Sequence, residues 1–221
     1  MSMAMEPEVS GVRSMKTEHR QMLVLRAKVV VVGDACVGKT ALLQMLRSSG
    51  YDYPKNYIMT TGVDLGVKQV KIPDTDCVVE LYLFDCAGQG IFNQLDQGAV
   101  HYENSSFVCV VFDVSNAESF ESCGKWLQAV RATRPSSSSP IPGVLIANKV
   151  DLREGGLSSR AVVAPEEGRR FAQENGLEYF EVSAAAAKDV NAPFQHMATH
   201  FHRTYEDVVS RAERVTSMGR Y

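Results

Sequence analysis

Gly33-Asp34-Ala35-Cys36-Val37-Gly38-Lys39-Thr40 places two glycines five apart, followed at once by a lysine and a hydroxyl. The glycines let the backbone turn so that its N–H groups point inward, forming a nest for anionic oxygens. A helix opening at Gly38 adds its positive end. Lys39 brings a point charge to the outer phosphates of a nucleoside triphosphate, and the Thr40 hydroxyl suits Mg²⁺. The context matches the motif. Leu25 to Val32 is a hydrophobic run that reads as a strand, and Ala41-Leu42-Leu43-Gln44-Met45-Leu46 opens a helix that Gly50 can stop. Cys36 inside the loop is either a thiol acidified by the helix N-terminus or a small residue at a tolerant position. No neighbouring cysteine could resolve an oxidised form, which favours the second reading.

Well downstream, Asn148-Lys149-Val150-Asp151 follows the apolar run Val144-Leu145-Ile146-Ala147. Guanine presents two parallel N–H donors, at N1 and the 2-amino group, and the Asp151 carboxylate can accept both. Adenine would leave that carboxylate unpaired. A site built on such a hydrogen-bonding pair discriminates by about 10⁴-fold or more. The two segments together therefore read as a site for GTP rather than ATP.

Three further strand-end segments complete the set. Asp85-Cys86-Ala87-Gly88-Gln89 puts an Asp where it can hold Mg²⁺, directly or through water. Its glycine can bring a bare backbone N–H against a γ-phosphate, and Gln89 can orient an attacking water. Thr60, in Met59-Thr60-Thr61-Gly62-Val63-Asp64, offers a second hydroxyl for the metal. In Glu181-Val182-Ser183-Ala184, the backbone N–H best placed to donate to guanine O6 is that of Ala184.

The elements that must carry these segments are short strands alternating with helices. Strands are expected at Leu25 to Val32, Val63 to Ile72, Val78 to Phe84, Phe107 to Phe112, Val144 to Ala147 and Glu178 to Val182. Pro73-Asp74-Thr75-Asp76 is a turn, so the second and third strands should pair antiparallel. The others should run parallel, with right-handed crossovers and ligands at their carboxyl ends. Ser119 to Arg131 reads as a helix carrying the only tryptophan, Trp126, and Pro135-Ser136-Ser137-Ser138-Ser139-Pro140 as a loop. The last helix starts at Ala192-Pro193. Phe194, Met197, Ala198, Phe201, Tyr205, Val208, Val209 and Ala212 form one apolar stripe on it. A helix running to Met218 would outreach a typical strand about twofold. Its far half is either a partner-docking surface or a segment that frays after Tyr205. His196, His200 and His202 are expected on the solvated face; no carboxylate or cysteine completes a metal set.

A chain of 221 residues with 45% hydrophobic content suits one α/β domain with tails. A net charge of −3 argues against nucleic acid as the main partner. No segment is long and apolar enough to span a bilayer. The start, residues 1–22, has mixed charge and no apolar run; it is expected to be a disordered tail rather than a secretory or transit signal. The five cysteines have no metal-ligand spacing and suit a reducing compartment. The domain is expected over 23–206, with 207–221 as a helical extension and tail.

With these motifs in order, the chain from about Leu25 to Tyr205 resembles a Ras-superfamily small GTPase of the Rab-like branch. This resemblance implies a P-loop NTPase with the small-GTPase fold, a six-stranded, mostly parallel sheet flanked by helices. It implies GTP or GDP held with Mg²⁺ by Gly33, Asp34, Ala35, Cys36, Val37, Gly38, Lys39, Thr40, Ala41, Tyr53, Thr60, Gly88, Asn148, Lys149, Asp151, Ser183, Ala184 and Ala185. Tyr53 falls where that family packs an aromatic edge against guanine. The metal ligands would be Thr40, Thr60 and Asp85, and the catalytic residues Lys39 and Gln89. A closer resemblance is to the Rab-like GTPases of the intraflagellar transport B complex. It rests on Met59 to Leu65, on Ile72-Pro73-Asp74-Thr75 before Val79-Glu80-Leu81, on Glu118-Ser119-Phe120-Glu121-Ser122-Cys123 with Lys125-Trp126, and on Asn191-Ala192-Pro193-Phe194. It implies a heterodimer with a small β-sandwich subunit, assembly with other transport-train subunits, and residence in cytoplasm and cilium or flagellum.

Three departures from the Rab pattern bear on function. The chain ends Ser217-Met218-Gly219-Arg220-Tyr221 and its last cysteine is Cys123, so a prenyl anchor is not expected; Met1-Ser2 does not suit myristoylation. Phe84 stands where Rab proteins usually have tryptophan, and Ala185 where lysine is usual. Gly90 replaces the usual glutamate after Gln89. The functions left open are a slow GTP-hydrolysing switch, a GTP-binding scaffold in which hydrolysis is incidental, and an ordinary vesicle-trafficking Rab without a lipid anchor. A nucleotide kinase would need a second acceptor site and a lid, and the sequence offers neither.

Overall fold

Val29, Val30, Val31 and Val32 are all fully buried, yet they alternate between two separate cores. That alternation follows from the period of two in a strand covered on both faces. The computed structural model describes residues 22–56, 58–88, 100–134, 139–154 and 160–218. Gln89, Gly90, residues 1–21 of the expected tail and residues 135–138 of the serine loop lie outside the described residues.

The chain runs β1 (Leu23–Val32), α1 (Lys39–Arg47), β2 (Val63–Lys71), β3 (Cys77–Cys86), β4 (Phe107–Asp113), α2 (Ala117–Glu121) and α3 (Cys123–Ala132). It continues through β5 (Gly143–Asn148), a 3₁₀ turn (Val150–Arg153), α4 (Pro165–Glu174), β6 (Glu178–Glu181) and α5 (Ala192–Met218). The six strands lie in the order β2-β3-β1-β4-β5-β6. Only β2 and β3 pair antiparallel; every other neighbour is parallel. Val29 and Val31 face α1 and α5, against Leu42, Leu46, Phe194 and Met197. Val30 and Val32 face α3 and α4, against Trp126, Leu127, Val130 and Ala172. This is the expected α/β sheet, with its loops gathered at the carboxyl ends of β1, β3, β4 and β5.

Three expectations need correction. The helix read as Ser119 to Arg131 is two helices meeting at Ser122. It starts earlier because the Asn116 side chain accepts from the Ser119 N–H, a cap that holds a first turn open to solvent. α4 was not anticipated at all. Only Gly168 and Ala172 are buried on it, too few for a legible stripe. It is started by Pro165 and by Glu167, whose carboxylate accepts from the Ala164 N–H at 2.8 Å. Of the α5 histidines, His200 is exposed as expected, but His196 is half-buried and His202 is not on the solvated face. His202 is buried, 3.5 Å from Glu206. His196 packs on Phe180 and His200 on Phe107, each with ring centroids 5.6 Å apart.

α5 is one helix of 27 residues, about 40 Å long at 1.5 Å per residue. Phe194, Met197 and Ala198 are buried against the sheet. Beyond Tyr205 the stripe continues but nothing described covers it: Val208 is 60% and Val215 73% exposed. Among the described residues, no helix is long and apolar enough to cross a membrane.

Candidate functional site

β1 ends at Val32, and the next residue must turn sharply under β4. Gly33 has φ +143°, and a Cβ there would overlap the Val111 carbonyl oxygen. The loop returns at Gly38, φ +96°, where a Cβ would stand 2.5 Å from Asn148 Nδ2. Both positions thus need glycine for space as well as for dihedral angle. α1 then begins at Lys39. Its ammonium is buried and donates to the carbonyls of Gly33 (2.7 Å) and Asp34 (2.9 Å). Burial lowers its pKa below the ordinary value, and Asp85 is the strongest opposing influence. Cys36, at the tip of the loop, is exposed and left-handed at φ +62°.

Thr40, Thr60 and Asp85 come from three separate segments and meet. Thr40 Oγ1 lies 2.9 Å from Thr60 Oγ1 and donates to Asp85 Oδ2 at 2.5 Å. Among the described residues, Asp85 Oδ1 is buried without a hydrogen-bond partner. Burial raises the Asp85 pKa, chiefly against the opposing pull of Thr40 and Lys39. An orphaned buried carboxylate oxygen beside two hydroxyls is a hard-oxygen donor set, and it fits Mg²⁺. Gly88 follows on the same strand end and packs on the loop so closely that a Cβ would overlap the Ala35 nitrogen.

The base-reading segment is tied to the phosphate loop by one side chain. Asn148, buried at the end of β5, donates from Nδ2 to the Val37 carbonyl (2.8 Å) and accepts at Oδ1 from the Ala184 N–H (3.2 Å). Lys149 turns left-handed at φ +65° and pairs with Asp113 Oδ2 at 2.6 Å. Asp151 Oδ1 accepts from Ser183 Oγ at 2.5 Å, and that hydroxyl accepts in turn from the Ala186 N–H. The carboxylate is thereby fixed in orientation before any base arrives.

A cleft of about 610 Å³ opens over the loop, lined among others by Ala35, Gly38, Lys39, Thr40, Ala41, Tyr53, Thr60, Gly88 and Lys149. Asn148, Asp151, Ser183, Ala184 and Ala185 do not line it; Asn148 ties the Ala184 N–H to the Val37 carbonyl of the loop beneath it. Val37 turns its side chain into the core. The Asp34 carboxylate turns away to accept from Trp126 Nε1 at 2.7 Å. Gln89 lies outside the described residues. Two residues of the site were not anticipated. Asp113 is the last residue of β4 and Asp85 the last but one of β3, and that strand-end position is the signal that could have found it. Trp126 carries no local signal of its bond, 92 residues away.

The Ras family profile matches residues 28–203. "Intraflagellar transport protein 27 homolog" of Homo sapiens is 43% identical over 188 residues, which are 85% of this chain and 96% of that protein. "Intraflagellar transport protein 27" of Chlamydomonas reinhardtii is 43% identical over 84% of this chain and 89% of its own length. "Ras-related protein Rab-7L1" of Mus musculus is 36% identical over 83% and 86%. With the phosphate loop, the hydroxyl–carboxylate cluster and the Asn148-Lys149-Val150-Asp151 turn at one end of this sheet, the chain belongs to the Ras family, as a Rab-like small GTPase.

Proposed function

We propose that this chain is a GTP-binding subunit of intraflagellar transport that acts as a nucleotide-dependent switch or scaffold. The observation that carries the nucleotide reading is the coupling of Asp151, Ser183, Asn148 and Val37 into one bonded unit at the phosphate loop. The transport reading is supported by the names of the human and algal relatives, each spanned almost end to end.

In this reading, the loop N–H groups and Lys39 bind the phosphates. Asp151 takes the guanine N1 and 2-amino protons, the Ala184 N–H donates to O6, and Tyr53 flanks the ring. Thr40, Thr60 and Asp85 hold Mg²⁺, which when bound supplies positive charge against the terminal phosphate oxygens. Gln89 orients the attacking water. The loop from Gly33 to Thr40 has no arginine to act as a finger. Turnover without an activating partner is therefore about 10⁻⁴ to 10⁻³ s⁻¹. The functional domain is 23–206. The extension, 207–221, serves assembly with a small β-sandwich subunit and other transport-train subunits in cytoplasm and cilium. The exposed stripe on α5 favours a second reading, a GTP-binding scaffold with incidental hydrolysis.

Competition binding tests the base assignment. Asp151→Asn replaces a double acceptor with a side chain that can donate, so GTP affinity should fall and preference shift toward xanthosine triphosphate, whose 2-oxo group accepts. Displacement of labelled GDP by ATP as readily as by GTP from the wild-type protein would refute the proposal.

A further inference from the structure

The phosphate loop contains a carboxylate. Asp34 lies between Gly33 and Ala35, in the segment that must cradle polyphosphate, where a negative charge works against binding. Its backbone carbonyl serves the loop by accepting from Lys39 Nζ. Its side chain does not enter the cleft: it accepts from the indole N–H of Trp126 at 2.7 Å and is absent from the cleft lining. Trp126 is the chain's only tryptophan and is 2% exposed, wedged on α3 among Cys123, Leu127 and Val130. The neighbouring Cys123 thiol reports the same charge: burial first, and then Asp34, push its pKa up.

We infer that Trp126 is a positioning residue for the nucleotide site, holding the Asp34 carboxylate turned out of the phosphate cradle. This rests on the reading of the loop as a GTP and GDP site. A hydrogen bond to an ionised acceptor in a half-buried place is among the stronger ones. An indole is suited to the task because its ring anchors in the core while its single donor faces the loop. No other hydrogen bond to the Asp34 carboxylate is found among the described residues. Without this bond the charge is free to rotate toward the phosphates, only a few bonds away.

The prediction is a coupling between two residues. Trp126→Phe keeps an aromatic ring and deletes the donor. Dissociation of a fluorescent N-methylanthraniloyl GDP, chased with excess GDP in Mg²⁺ buffer, should become about tenfold faster in the otherwise native chain. In the Asp34→Asn background the same Trp126→Phe change should accelerate dissociation no more than about threefold, because no charge remains to swing inward. The acceleration should also shrink as salt rises. A structural role for the indole in core packing would cost the same in both backgrounds and at all salt concentrations, and that result overturns the inference. Should Trp126→Phe not fold by circular dichroism, Asp34→Ala with Trp126 retained decides the matter. Loss of the acceptor must change the emission of the sole tryptophan in the folded protein; an unchanged spectrum overturns the inference. If the wild-type chain binds no labelled GDP at all, it is the nucleotide reading that fails.

Discussion

Replacing Asn148 with alanine removes the only described side-chain link between the phosphate loop and the base-reading turn. Asn148 is 1% exposed, and it makes two bonds that water cannot easily replace: Nδ2 to the Val37 carbonyl and Oδ1 from the Ala184 N–H. Val37 and Ala184 are themselves buried, so the substitution leaves one acceptor and one donor without partners. Each such orphan costs about 1–3 kcal/mol, and some relaxation is available because the cleft opens nearby; the expected total is about 2–4 kcal/mol. For a domain of this size that lowers Tm by about 5–15 °C. Urea unfolding followed by circular dichroism, with GDP and Mg²⁺ held constant, measures it, since bound nucleotide shifts the midpoint. Asn148→Asp gives a second measurement. It keeps the shape and the acceptor for Ala184 but turns a charged oxygen toward the Val37 carbonyl, so it should be worse than alanine at neutral pH. The effect should extend to function, with GDP leaving faster in both variants because loop and turn are no longer braced. A stability within about 0.5 kcal/mol of wild type, with unchanged GDP dissociation, would show that the two segments are not held together through this amide.

Hydrolysis and docking give two further tests. Gln89→Leu should leave GTP binding nearly intact and slow single-turnover hydrolysis at least about tenfold, or about 1.4 kcal/mol of barrier; equal rates would leave the scaffold reading in force. Val208→Glu with Val209→Glu places two charges on the continuation of the α5 stripe, where Val208 is exposed and Val209 half-buried, and where burying an exposed valine against a partner is worth about 1.5–3 kcal/mol. Size-exclusion chromatography with the proposed β-sandwich subunit should show a weakened complex, while GDP binding is unchanged because the cleft lies at the strand ends. Full complex formation by the double variant would put the partner elsewhere.

The sheet was legible because each of its strands is a local signal. β4 is buried throughout and reads as an unbroken apolar run, and Pro73-Asp74-Thr75-Asp76 announces the one antiparallel pair. α4 was not legible, since it fully buries only two small residues, Gly168 and Ala172, and its one aromatic, Phe171, packs only in part against the core. The α5 histidines were misread for a related cause. A heptad-like count places them beside the stripe, but a helix lying across a sheet buries a wider arc than the apolar residues alone mark out, so His202 is covered and His196 packs at a tilt against Phe180.

The candidate site divides in the same way, between what a motif can hold and what only a fold can. Glycines, a lysine and a threonine at fixed spacing declare a phosphate loop because the chemistry needs them within a few residues of each other. The groups that aim this loop are under no such constraint. Asn148 reaches it across 111 residues and Trp126 across 92, and Asp113 steadies Lys149 from a different strand. These braces become neighbours only once β1, β4 and β5 lie side by side, which the parallel pairing ensures by bringing all three strand ends to one edge. It follows that a segment carrying the intact motif on a differently ordered sheet would keep the lysine and the glycines but lose the orientation of Asp34 and Asp151. Nucleotide selectivity and slow release should therefore fail through substitutions at Asn148 and Trp126, which break the bonds that hold Val37 and Asp34 of the loop in place.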